Sequence, residues 1–190
     1  MALKLVNLDE RTRRFMVSEI ESDKAADKLY ESPRLNERGR EKYYGLLREA
    51  AAEHDASWLA ERLRRDGLMK SVEERKNPKG GTTTAQVPVN APDTLAEGEF
   101  NRFYIRGLCL RAIEDKIPEL IIYRAKEVGS PRSESEAKIG ERIDPQQLLD
   151  DVRKHPGVDT ALGLPPGPNS GLSAQLPEKE SVAGLSVRYP

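Results

Sequence analysis

Phe100-Asn101-Arg102-Phe103-Tyr104-Ile105-Arg106-Gly107-Leu108-Cys109-Leu110-Arg111-Ala112-Ile113 is the stretch on which the fold turns. On a helical wheel its apolar residues point nearly all the way round. A helix of that kind is central, with neighbours on several sides. Gly107 in its middle costs about 1 kcal/mol relative to alanine, so it marks a close approach by a neighbouring element. Arg102 and Arg106, four apart, must reach water, meet carboxylates or pair with a partner chain, and both are candidate interaction residues. Cys109 sits inside the apolar pattern and reads as a small core hydrophobe. An activated thiolate is the weaker reading, even with Arg102, Arg106 and Arg111 close in sequence.

Working towards the N-terminus, Thr94-Leu95-Ala96-Glu97 matches a capping box and starts this helix. Before it, three amphipathic helices fill residues 1–68. Asn7 caps the first, which carries Phe15, Met16, Val17 and Ile20 and fades near Ala26. Pro33 breaks the chain. Asn36 caps the second, whose face is Tyr43, Leu46, Leu47, Ala50 and Ala51. Asp55 caps the third, with Trp58, Leu59 and Leu63, and Gly67 stops it with Leu68 packing back. Residues 69–93 read as a basic loop ending in Asn77-Pro78-Lys79-Gly80-Gly81, then a β-branched strand over Thr82–Val89. Pro88 cannot donate to a ladder and places that strand at a sheet edge.

Towards the C-terminus, Pro118 stops the helix and Leu120-Ile121-Ile122-Tyr123 reads as a buried strand, able to pair with Thr82–Val89. Asp144-Pro145 opens another helix with Leu148, Leu149 and Val152 inside, ending at His155-Pro156-Gly157. Residues 94–160 therefore complete one domain. Residues 161–190 form an extended tail with Pro165, Pro166 and Pro168, and a repeat in which Gly171–Pro177 is echoed by Gly184–Pro190. The fold class is α+β, mainly α: a helical bundle with a small β element and an extended Pro/Gly-rich C-terminal tail. The Phe100–Ala112 block and the Pro165–Gly171 stretch resemble, in general character, uncharacterised prophage-encoded proteins. No functional motif is shared, so no residue role follows from the resemblance.

The 190 residues carry 31 basic and 32 acidic side chains, a net charge of −1, which gives no global field for nucleic acid or an anionic membrane. One local patch stands out. Residues 62–79 hold Arg62, Arg64, Arg65, Lys70, Arg75, Lys76 and Lys79 against Asp66, Glu73 and Glu74, a net +4 able to contact phosphates. It has no interleaved aromatics for stacking on single strands. One cysteine excludes an intrachain disulfide, and one Cys with two His cannot supply a structural zinc set. His54 and His155 each lie at a helix end, where a cation suits the dipole. Asp150 and Asp151 are adjacent and point to different helix faces. Lys79-Gly80-Gly81-Thr82-Thr83 has its lysine before the glycines, the wrong order for a phosphate loop. Asp93 followed by Glu136-Ala137-Lys138 has the acid–x–lysine form of a magnesium-dependent nuclease, but a polar loop leads into it where a rigid strand is wanted. No cofactor is implied.

The N-terminus lacks a leader-like apolar run and nothing approaches a membrane span, so the cytoplasm, or a virion, is the expected location. The expectation for function is a non-enzymatic structural or interaction protein in a homo-oligomeric or phage-type assembly. It would contact itself or other subunits through the Thr82–Val89 segment and the tail, including Leu172, Leu185 and Tyr189. A tail used only for contacts could be removed at residue 164 and leave a folded body. The alternative is a nucleic-acid-binding accessory protein using residues 62–79, and a nuclease comes third.

Overall fold

The computed structural model describes residues 3–76, 80–154 and 171–178. The element order is α1 (Glu10–Ala25), α2 (Glu37–Glu53), α3 (Ala56–Arg65), β1 (Val72–Lys76), β2 (Thr82–Gln86), α4 (Ala91–Glu114), β3 (Leu120–Arg124), α5 (Ser133–Ala137), β4 (Arg142–Ile143), α6 (Pro145–Lys154) and β5 (Leu172–Gln175). The chain is mainly α with a small β part, as its sequence implies.

α4 is the axis of the core. Phe100, Phe103, Tyr104, Leu108, Cys109 and Ala112 are all fully buried, on every side of it, because α1, α2, α3, α6 and β5 surround it. Each large apolar side chain so buried contributes about 1.5–3 kcal/mol. Gly107 is where α1 crosses: a Cβ there would lie 2.9 Å from the Thr12 carbonyl oxygen and 2.9 Å from the Met16 nitrogen. Only the missing side chain lets the two backbones approach that closely.

Three caps form as the sequence implies. The Asn36, Asp55 and Asp144 side chains accept from the backbone N–H of Gly39, Trp58 and Gln147, each at 2.8 Å. Gly67 ends α3 in the left-handed region at φ +62, and Leu68 N–H reaches back to the Leu63 carbonyl at 3.0 Å. Two caps differ. Asp9, not Asn7, caps α1 by accepting from Thr12 N–H. α4 begins at Ala91 with Pro92 in its first turn, so Thr94 is already inside the helix and its hydroxyl donates to the Asn90 carbonyl at 3.1 Å. Proline's fixed φ suits a first helical turn, and here it starts the helix earlier than the capping-box pattern does.

The β part is organised differently from expectation. Thr82–Val89 does not pair with Leu120–Tyr123. β2 pairs antiparallel with β1, formed from residues read as loop, with Val72 opposite Gln86 and Lys76 opposite Thr82. Pro88 lies beyond the end of β2. The second sheet has the order β4-β3-β5. β5 comes from the stretch read as tail, and Leu172, Ser173 and Ala174 are buried. It pairs with β3 in the register Ile121–Gln175 to Arg124–Leu172. Gly171 enters at φ +69, where a Cβ would meet the Lys126 carbonyl oxygen at 2.4 Å. Residues 171–178 therefore belong to the body, and removal from residue 164 onward would strip a strand from the core. Pro165, Pro166, Pro168, Leu185, Tyr189 and His155 lie outside the described residues.

Candidate interaction surface

β1 and β2 form a two-stranded ribbon that stands off the core. Eight of its ten residues are exposed and the other two, Glu73 and Ala85, are only half-buried. Its strands pack on each other and make no extensive contact with any helix. Val87 N–H bonds to the Ser71 carbonyl at 2.9 Å, which fixes the ladder's alternation. The backbone groups of Val72, Glu74 and Lys76 consequently point away from β2, along an outer edge that no other described strand occupies.

The base of the ribbon is held by charge. Arg34 donates to Glu73 at 2.6 and 3.1 Å, and Arg75 donates to the same carboxylate at 2.8 Å. The Arg34 guanidinium, followed by that of Arg75, keeps the Glu73 carboxyl below its ordinary range. Lys70 N–H bonds to the Arg34 carbonyl at 2.8 Å, extending the pairing between residues 34–36 and 68–70. Beside this clamp lies an open groove of about 460 Å³, walled by Pro33, Arg34, Lys70, Val72, Glu73, Glu74 and Thr84.

The basic segment divides in two. At the end of α3, Arg62 and Arg65 each approach Asp66 at 3.3 Å, and Arg64 meets Asp93 at 2.6 Å. Three arginines there share two carboxylates. On the ribbon, Lys70 and Lys76 are exposed and make no ion pair among the described residues. Arg75 and Arg34 share the Glu73 carboxylate in the same way, and Glu74 on the same strand is exposed. Lys79 lies outside the described residues; in sequence it belongs to the connection between the strands.

Arg102 and Arg106 are placed in the interior, 5% and 2% exposed, and not on a partner-facing surface. Arg106 holds Glu19 at 2.6 Å and Asp23 at 2.6 and 2.8 Å. Arg153 reaches Glu19 at 2.6 Å, and Arg102 pairs with Glu99 at 2.5 Å. Both α4 guanidiniums also lie over the Phe103 ring, at 4.3 and 4.8 Å from its centre. Three carboxylates thus balance three guanidiniums and tie α1, α4 and α6 together. Burial pushes the Glu99 carboxyl up despite Arg102. Burial acts the same way on Glu19, but Arg153 and Arg106 outweigh it and hold that carboxyl low. Tyr43 Oη and Arg102 Nη1 are buried and find no hydrogen-bond partner among the described residues.

Other candidates do not assemble. Asp93 is engaged by Arg64, Glu136 accepts from Arg124 at 2.6 Å, and Lys138 donates to Glu141 at 2.9 Å, so the nuclease-like trio is dispersed among three separate partners. Among the described residues no group of three or more His, Cys, Asp or Glu side chains could hold a metal ion. Cys109 is fully buried and burial drives its thiol pKa far up, as suits a core residue. His54 stacks on Trp58 with ring centres 4.3 Å apart. No helix among the described residues is long and apolar enough to cross a membrane.

The ribbon and its Arg34–Glu73 clamp were not legible as a unit in the sequence. A signal did exist: two short segments flank a five-residue connection containing two glycines, which is a hairpin pattern. No family model, curated protein or solved structure matches this chain.

Proposed function

We propose that this protein is a non-enzymatic interaction protein, a subunit of a homo-oligomeric or phage-type assembly, and that the β1–β2 ribbon is the arm by which it docks. The observation that carries the reading is the ribbon's exposure. Ten residues are ordered into paired strands, yet they bury almost nothing against the core. A lone two-stranded ribbon is marginal in water, so its contribution to the stability of the body is small. Its base is fixed by Arg34 and Glu73, which holds the arm at a set attitude while its outer edge stays open. Fixing the arm in advance reduces the ordering cost of docking. The residues of the C-terminal stretch outside the described part, Pro165, Pro166, Pro168, Leu185 and Tyr189, are the second contact element in this reading.

Removing the arm tests it. Ser71 and Val87 are already a bonded pair, so an Asn-Gly turn can join them in place of residues 72–86. By light scattering, the full-length protein should self-associate and the shortened chain should fold like the parent but stay monomeric. A shortened chain that associates as the parent does would refute the arm's role.

A further inference from the structure

We infer that the arm's partner is a second copy of this chain. The outer edges of two β1 strands pair antiparallel across a twofold axis at Glu74, making one four-stranded sheet in the order β2-β1-β1-β2. This rests on the reading of the ribbon as the docking arm of a homo-oligomer, and names the partner and the register.

The backbone is the first argument. Val72, Glu74 and Lys76 turn their N–H and C=O groups away from β2, and no other described strand takes them. The pairing of residues 34–36 with 68–70 ends before β1 begins, so the edge is open from Val72 onward. An antiparallel neighbour bonds there only where its own outward residues face these. For a copy of β1 that condition puts a residue on the twofold axis. With Glu74 on the axis, Glu74 faces Glu74 and Val72 faces Lys76, and each outward residue exchanges a pair of backbone hydrogen bonds with the one opposite. The same patch is used on both copies, which closes the pair.

Charge is the second. β1 reads Val72-Glu73-Glu74-Arg75-Lys76, two acids followed by two bases. Charges on an edge deter most strands from adding to it. A copy of the same strand running the other way is matched to them: about Glu74, each Glu73 stands opposite the other copy's Arg75. Glu74 does meet its own copy at the axis, a like-charge rung that costs stability. Lys76 of each copy lies diagonal to it on the same face, because alternate residues of a strand share a face. A register centred on Glu73 or on Arg75 also sets like charges at the axis, and keeps only three of the five residues of β1 in rungs with one another. The groove at the base of the ribbon gives room for the far end of the incoming strand. Its walls include Val72, Glu74 and Thr84, and the other copy's Lys76 arrives opposite Val72, beside the exposed Glu74.

The experiment is sedimentation equilibrium on the full chain and on single variants, each checked for folding by circular dichroism. Glu74→Gln removes the like-charge rung and should tighten self-association about two- to fivefold. Glu74→Pro spares the ladder with β2, since the Glu74 N–H points outward, but blocks the central rung; it should weaken association roughly tenfold or more. Arg75→Glu turns both Glu73–Arg75 rungs into like pairs and should weaken it by about fivefold or more. Oxidation of cysteine variants reads the register. In Glu74→Cys the two thiols face each other with Cα atoms about 5.5 Å apart, within disulfide reach, so the copies should crosslink. Val72→Cys stands opposite Lys76 and should not, and Cys109 is buried and does not compete. A full chain that is monomeric at its highest soluble concentration, or weaker association of Glu74→Gln, would overturn the proposal. So would a Glu74→Pro chain that associates like the parent, or crosslinking as efficient at 72 as at 74. If removal of residues 72–86 abolishes association while Glu74→Pro leaves it intact, the edge pairing falls and the arm reading stands. If the armless chain associates like the parent, both fall.

Discussion

Replacing Asn101 by alanine probes whether the strand at residues 172–175 belongs to the folded body. Asn101 lies on α4, 4% exposed, and its amide spans the gap to β5. Its Nδ2 donates to the Leu172 carbonyl at 2.8 Å and its Oδ1 accepts from the Ser173 hydroxyl at 2.7 Å. The substitution removes two hydrogen bonds between buried groups, each worth about 1–3 kcal/mol where the group left behind is desolvated. Some relaxation is expected, so we take a loss of about 2–4 kcal/mol. For a chain of this length that lowers the melting temperature by roughly 5–12 °C. Ser173→Ala and Asn101→Ala remove the two ends of one hydrogen bond, so their effects should not add, with a coupling of about 0.5–3 kcal/mol. The assay is urea unfolding followed by circular dichroism on all four members of the cycle. A loss below about 0.5 kcal/mol for Asn101→Ala, the range of an ordinary surface change, would show that β5 is not docked on α4.

Other perturbations test the buried charges and the core. Arg106→Leu strips Glu19 and Asp23 of their shared guanidinium and should cost about 3–5 kcal/mol in urea unfolding at neutral pH. That cost should shrink on acidification, as the stranded carboxyls take up protons; an equal cost at every pH would contradict the pairing. In the parent, Glu19 has its pKa lowered from the ordinary 4.5. Its contribution is therefore fully present above that value and is lost as pH falls through the lower folded value, which a series of urea midpoints from pH 6 down to pH 3 would reveal. Cys109 should resist thiol reagents at pH 8 in the folded chain and react promptly in denaturant, since burial both shields the thiol and raises its pKa. Rapid labelling of native protein would place it outside the core.

The helical framework was readable because its signals are local. The caps Asn36, Asp55 and Asp144, the stop at Gly67 and the all-round apolar wheel of α4 each lie within a turn or two of the structure they specify. Gly107 was readable as a contact, and the identity of its neighbour, Thr12 and Met16 on α1, was not. Arg102 and Arg106 could be seen to need carboxylates. Glu19 and Asp23 have the same four-residue spacing on α1, and that matched spacing was the available clue.

The β part was misread because its signals are not local. Val72-Glu73-Glu74-Arg75-Lys76 has one apolar residue in five, so no alternation marks it as a strand; pairing across a short connection forms it, not burial. Gly171–Leu176 looks like tail because it is small, polar and proline-flanked. Its place depends on β3, on Asn101 and on Asn7, whose side chain accepts from Leu176 N–H at 2.9 Å across 169 residues of chain. Asn7 was read as a cap for the same reason: a distant partner claims the side chain that the local pattern assigns to a helix.

A docking arm must be separate from the folding core, and amide hydrogen exchange of the full chain measures that separation directly. The ladder amides of Glu73, Arg75, Thr83 and Ala85 should exchange through a local opening, far faster than the amides of Phe103 and Leu108 in α4, which need global unfolding. Ribbon amides that exchange as slowly as those of α4 would make the ribbon part of the folding core and contradict its role as an arm.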